Sequence, residues 1–119
     1  MDASLYHYRA VINEVYDGDT CRANIDLGMA MWIHNEPLRL YRINAPEAKG
    51  KERPEGLRSR DFLRRTILGK EVIIQTIRDE KEKYGRFLAE IWLKDANGNW
   101  TNVNDLLVKE GYAVYKNYE

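Results

Sequence analysis

Three short segments, far apart in the chain, carry side chains suited to one chemistry. They are Asp17-Gly18-Asp19-Thr20, the run Arg39 to Glu47 (Arg-Leu-Tyr-Arg-Ile-Asn-Ala-Pro-Glu), and Lys83-Tyr84-Gly85-Arg86. Together they supply carboxylates, two arginines and a glutamate beside a proline. Hydrolysis of a phosphodiester needs a water, a base to deprotonate it, and positive charge around a phosphorane-like transition state. A hard divalent cation supplies part of that charge and binds through oxygen: carboxylates, amide oxygens and backbone carbonyls. Asp19 sits just past a turn glycine, where its carboxylate can enter a cleft, and Asn44 with the Ala45 carbonyl lies at a strand end pinned by Pro46.

Each segment alone also has a plain explanation. Asp-Gly-Asp-Thr is an ordinary hairpin turn, Glu47 a surface or helix-entry carboxylate, and Lys-Tyr-Gly-Arg a charged turn. Arg39 alternates with Leu38 and Leu40, so it faces away from the core if they face into it, either exposed or ion-paired. What favours the chemical interpretation is the joint occurrence, since each segment supplies a part that the others lack.

The elements that must position these residues follow from pattern. Tyr8–Val15 is strand-like and ends in a turn, and Thr20–Leu27 alternates as a second strand. Trp32–Ile43 is a third strand region, bent near Asn35-Glu36-Pro37 and ended by Ala45-Pro46. Residues 48–53 read as loop. A helix is expected over Pro54–Leu68, with Ser59, Phe62, Leu63, Thr66 and Ile67 on one face and Gly69 at its end. Glu71–Ile77 is a strand, Arg78–Gly85 a charged loop, and Arg86–Leu93 a strand. The turn Asp95-Ala96-Asn97-Gly98 follows. A short helix is expected over Val103–Glu110, capped by Asn102, with Val103, Leu106 and Leu107 inward and Gly111 after it. Five strand regions with a helix after the third predict an α+β domain spanning 1–119. It is expected to be a five-stranded Greek-key OB-fold barrel with two packed helices, a fold whose face and loops commonly bind oligonucleotides.

The totals set bounds. At 119 residues the chain suits one domain with a real core. The single cysteine, Cys21, allows no internal disulfide and reads as a small strand residue. The N-terminus as given has no apolar leader and no segment is long enough to span a bilayer, so a cytoplasmic protein with no membrane partner is expected, the alternative being a secreted protein whose leader was trimmed. Nineteen basic and nineteen acidic residues cancel, but residues 49–70 carry a local excess of +5. That stretch is either a solvated helix face or a basic flank that helps hold a polyanion. Trp32, Trp100, Tyr112, Tyr115 and Tyr118 are candidates for base stacking or for a protein-interaction surface.

The three segments, with Val103-Asn104-Asp105 leading to Gly111, resemble the staphylococcal nuclease (thermonuclease) family from about residue 8 to residue 116. The resemblance implies an OB-fold and Ca²⁺-dependent hydrolysis of DNA and RNA that leaves 3′-phosphates. It implies Asp19, Asn44 and the Ala45 carbonyl as the metal positions, Glu47 as general base, and Arg39 and Arg86 as the clamp on the reacting phosphate. Lys83 and Tyr84 match residues that contact a terminal phosphate. Asn44 departs from the family's best-known member, which has an aspartate there, so weaker calcium binding is expected. The loop after Glu47 is shorter than in that member, so a different substrate preference is expected. That member also continues past the position of Tyr118 into a further helix, so either a less stable core or a homo-oligomer whose partner subunit covers this side is expected. The alternative expectation is a noncatalytic nucleic-acid-binding OB module with a degenerate metal site.

Overall fold

The structure is a computed structural model, and it describes residues 5–116. Its strands are β1 (His7–Asp17), β2 (Thr20–Gly28), β3 (Met31–Leu40), β4 (Ile43–Asn44), β5 (Glu71–Lys81), β6 (Phe87–Lys94), β7 (Trp100–Asn102) and β8 (Val114–Tyr115). The helices are α1 (Arg53–Ile67), preceded by a 3-10 turn at Gly50–Glu52, and α2 (Val103–Lys109). In the main sheet the strands lie in the order β3-β2-β1-β5-β6-β7. A parallel pairing of β3 with β6 through Leu38–Leu40 closes five of them into a barrel. This is the expected OB-fold, with β4 and β8 forming a separate two-stranded pair.

Alternation builds the barrel interior. Cys21, Ala23 and Ile25 point inward from β2, and Val72, Ile74 and Thr76 from β5. In β1 the inward set is Ala10, Ile12 and Val15, and the change of parity is a bulge between Ile12 and Glu14. Fully buried Leu38, Leu40, Ile43, Leu63, Ile67, Ile91, Val103 and Leu107 complete the core. Each such side chain contributes about 1.5–3 kcal/mol relative to exposure. Helix α1 packs through Gly56, Ser59, Leu63 and Ile67, an i, i+3, i+7, i+11 stripe, and Pro54 occupies its first turn. Gly69, at φ +75°, carries the chain away from its end.

Several local expectations are refined. The third strand region divides into β3 and β4 because Arg42 takes φ +70° between them. Its guanidinium donates to both carboxylate oxygens of the buried Glu90 and to Asp105, which holds that turn against α2. Arg78–Lys81 belongs to β5 rather than to a loop, with Arg78 and Asp79 forming a bulge at φ +55°. Asp79 fixes the bulge by accepting from the Tyr8 and Thr76 hydroxyls. In α2, Asn102 caps the helix as expected, accepting from the Asp105 N–H. Asn104 turns inward with Val103 and Leu107, while Leu106 is half-buried. Asn104 bonds Tyr41 O, Ala89 O and Ile91 N, tying α2 to the barrel wall. Cys21 is buried, and burial pushes its thiol up to about 12. Trp32, Trp100 and Tyr115 are exposed, Tyr112 stacks on Phe62 at 4.5 Å, and Tyr118 lies outside the described residues. Among the described residues no helix is long and apolar enough to cross a membrane.

Candidate active site

Three loops meet at one end of the barrel and enclose a cleft of about 760 Å³. All eight residues assigned from the sequence line it: Asp19, Arg39, Asn44, Ala45, Glu47, Lys83, Tyr84 and Arg86. The β1–β2 turn brings Asp19, the β3–β4 segment brings Arg39 through Glu47, and the β5–β6 hairpin brings the last three.

Two glycines let these loops rest on α1. A Cβ at Gly18 would lie 2.7 Å from the Ser59 Cβ and 2.8 Å from the Ala45 Cβ. A Cβ at Gly56 would lie 1.9 Å from the Glu47 carbonyl oxygen. Helix α1 therefore closes directly on the backbone that carries the acidic turn and on the backbone that carries Glu47. The Glu47 side chain is exposed in the cleft and has no hydrogen-bond or ion-pair partner among the described residues.

Arg39 is buried, although its strand neighbours Leu38 and Leu40 occupy the core. Its Nη1 donates to Leu40 O at 2.8 Å and Ile43 O at 3.0 Å, and its Nη2 donates to Asn44 Oδ1 at 3.2 Å. Nη2 also faces Asp19 Oδ2 at 3.4 Å. Of the two plain alternatives for Arg39, ion-paired is the one found. Asp19 Oδ2 accepts from the Ala45 N–H at 2.8 Å and Oδ1 from the Thr20 hydroxyl at 3.1 Å. Asp19, Arg39 and the Asn44-Ala45 backbone thus form one hydrogen-bonded unit across two loops.

Arg86 is held differently. Its Nε and Nη2 fork onto the two carboxylate oxygens of Glu82 at 3.0 and 3.2 Å, and its Nη1 reaches Thr20 Oγ1 at 3.3 Å. The Arg86 hydrogen bonds hold the Glu82 carboxyl down at about 2. The Tyr84 ring, largely exposed, lies under the Arg86 guanidinium at 5.5 Å and near Lys83 Nζ at 5.1 Å.

Two functional neighbours were not singled out from the sequence, Asp17 and Glu82. Asp17 accepts from the Asp19 N–H at 3.1 Å. Burial first, and then the hydrogen bond and charge of Asp19, push its carboxyl from 3.8 up to about 6. The signal was available in both cases: an acid two residues before Asp19 across a glycine, and an acid four residues before Arg86.

Because the folded Asp17 carboxyl titrates above its ordinary value, the folded state binds the extra proton. Stability is therefore lost as pH rises from about 4 through 6, and ionised Asp17 opposes folding above that window. Asp17→Asn keeps the acceptor for the Asp19 N–H. It is expected to raise the metal-free free energy of unfolding in urea at pH 7.5 by roughly 1 kcal/mol after solvent screening, and to have little effect at pH 4. A variant less stable than wild type at pH 7.5 would contradict the assigned repulsion.

The donor set suits a hard cation. Asp17 and Asp19 form an acidic pair, and no third His, Cys, Asp or Glu gathers with them at metal-binding spacing among the described residues. Neutral oxygens, Asn44 Oδ1 and Ala45 O, are left to complete such a site.

The chain matches the family model of staphylococcal nuclease homologues over residues 37–119. It is 33% identical to an uncharacterised protein of Methanocaldococcus jannaschii, across 95% of this chain and 62% of that protein. It is 31% identical to the thermonuclease of Staphylococcus intermedius, across 91% of this chain and 60% of that enzyme. Against the staphylococcal nuclease domain-containing protein 1 of Schizosaccharomyces pombe it is 32% identical, across 97% of this chain and 12% of that protein. The chain thus spans about three fifths of the length of the first two relatives.

Proposed function

The chain belongs to the staphylococcal nuclease homologue family, and from that premise we propose that its cleft is a metal-dependent phosphodiesterase site acting on DNA or RNA. Calcium is the proposed cation, and 3′-phosphates are the proposed products. One observation carries the proposal: a glutamate with no hydrogen-bond or ion-pair partner among the described residues, an acidic pair and two arginines converge in a single cleft.

The chemistry divides among the chain's own residues. Glu47 takes the proton of the attacking water as the new P–O bond forms. Arg39 and Arg86 lend guanidinium charge to the phosphate oxygens as negative charge builds on them, Arg86 exchanging its Glu82 fork for the phosphate. The bond to the 5′-oxygen breaks, that oxygen takes a proton from solvent water to leave as a hydroxyl, and the phosphate stays on the 3′-oxygen. Lys83 and Tyr84, at the exposed rim, contact a terminal phosphate. Asp19, Asn44 and the Ala45 carbonyl would hold calcium, with Asp17 beside them. When bound, calcium supplies positive charge to the phosphate and orients water.

Asn44 is where this site differs most in charge, because an amide oxygen coordinates without neutralising. Asn44→Asp is expected to tighten calcium binding by about tenfold, on the order of 1.4 kcal/mol, in isothermal titration. An unchanged affinity would remove Asn44 from the ligand set.

A second proposal, a noncatalytic nucleic-acid-binding module, is favoured by the same Asn44, whose Oδ1 is engaged by Arg39. One experiment separates the two: single-stranded DNA incubated with the protein, with and without millimolar calcium. Calcium-dependent cleavage supports the hydrolase. Binding without cleavage under any divalent metal supports the module.

A further inference from the structure

The positive charge of residues 49–70 is arranged as well as concentrated. Helix α1 carries Arg53, Arg58, Arg60, Arg64 and Arg65 against only Glu55 and Asp61. Arg53, Arg60 and Arg64 stand at i, i+7 and i+11, so they fall on one line along the helix. The packed stripe of Gly56, Ser59, Leu63 and Ile67 lies beside that line. The three arginines therefore emerge along the margin where α1 meets the barrel, while Arg58 and Arg65 lie on the outer face.

That side of α1 packs behind the loops that line the cleft, although no α1 residue lines the cleft itself. Near its start, Gly56 abuts the Glu47 carbonyl. In its middle, Ser59 abuts Gly18 of the acidic turn. Near its far end, Arg64 Nε and Nη2 donate to Val15 O at 3.2 and 2.9 Å, two residues before Asp17. Tyr16 follows, an exposed ring with the Arg22 guanidinium 5.8 Å from its centroid. Arg53 makes no hydrogen bond or ion pair among the described residues, and Arg60 pairs only with its exposed neighbour Asp61. A surface pair of that kind contributes little and is readily exchanged.

We propose that Arg53, Arg60 and Arg64 form a phosphate track, a second nucleic-acid contact for a single strand that leaves the cleft past the Asp17–Asp19 turn. The proposal rests on the nucleic-acid reading of the cleft and extends it to the substrate beyond the scissile bond. Eleven residues of helix span about 16 Å, enough to meet several successive phosphates. Tyr16 with Arg22 offers a stacking surface where the track continues beyond Arg64. The balancing negative charge lies elsewhere in the chain, so a polyanion is drawn to this side despite a net charge of zero.

The test is equilibrium binding of fluorescein-labelled (dT)20 by anisotropy, without divalent metal, from 25 to 200 mM KCl. Arg53→Ala/Arg60→Ala is compared with wild type and with Arg58→Ala/Arg65→Ala, which removes the same charge from the outer face. Alanine favours helix, and circular dichroism checks that α1 persists. The track variant is expected to bind about tenfold more weakly at low salt. The slope of log affinity against log salt should flatten by about 1.4, since each lost single-strand phosphate contact is worth about 0.7. The outer-face variant should lose less on both measures. Wild-type affinity and slope in the track variant, equal losses in both variants, or no binding by wild type would each overturn the track. Cleavage assayed in parallel with calcium judges the hydrolase separately. Binding through the track arginines without cleavage sinks the hydrolase and keeps the track, whereas cleavage with those arginines indifferent to binding does the reverse.

Discussion

Glu47→Gln is expected to lower turnover by about 10²–10⁴ and to leave the fold unchanged. The prediction follows from what Glu47 lacks. Its carboxylate is exposed in the cleft and has no hydrogen-bond or ion-pair partner among the described residues. Its backbone is fixed all the same, by Pro46 before it and by Gly56 packed against its carbonyl. A carboxylate with a fixed base and an unengaged head is available to take a proton from water. Glutamine keeps the shape and removes the basicity, so the loss should fall on kcat with KM little changed. Thermal stability should stay within about 0.5 kcal/mol of wild type, as for other exposed substitutions. Full activity in Glu47→Gln would dismiss it as the base. A loss of activity accompanied by unfolding would show that the side chain has a structural partner instead.

How far the sequence revealed this site depended on the kind of residue. Asp19, Arg39, Asn44, Ala45, Glu47 and the Lys83–Arg86 turn stand at strand ends and turns, where punctuation by Gly and Pro makes position readable. That they line one cleft follows from barrel closure through the parallel Leu38–Leu40 pairing with β6, which no local pattern announces. Asp17 and Glu82 were written in the same segments, but their roles depend on what lies opposite: the Asp19 carboxylate in one case, the Arg86 fork in the other. Arg78–Lys81 looked like loop because it is charged. It remains strand because a bulge, fixed by Asp79 on Tyr8 and Thr76, aims the hairpin toward the cleft. The contact of Gly56 with Glu47 is tertiary, and a lone helical glycine in sequence does not name its partner.

The two arginines of the proposed clamp should fail in different ways. Arg39 is locked into the barrel: it satisfies Leu40 O and Ile43 O, bonds Asn44 Oδ1, and neutralises Asp19. The side chains of Arg39 and Asp19 are 8% and 9% exposed, so removing one leaves the other charge buried and unpaired. Arg39→Ala is therefore expected to destabilise the protein by about 3–5 kcal/mol in urea unfolding. Where it stays folded, it should also lose about 10²–10³ or more in kcat, the usual worth of a transition-state donor. Arg39→Lys keeps the charge and loses the fork, so it should recover part of the stability and little of the rate. Arg86 is more exposed and bonds mainly to Glu82 on its own hairpin. Arg86→Ala should cost activity comparably while moving stability much less. If the alanine variants lost equal stability, Arg86 would be a structural residue. If Arg86→Ala kept full activity, the clamp would consist of Arg39 alone. The expected pattern, rate lost twice and stability lost once, separates the arginine that builds the site from the arginine that is only held over it.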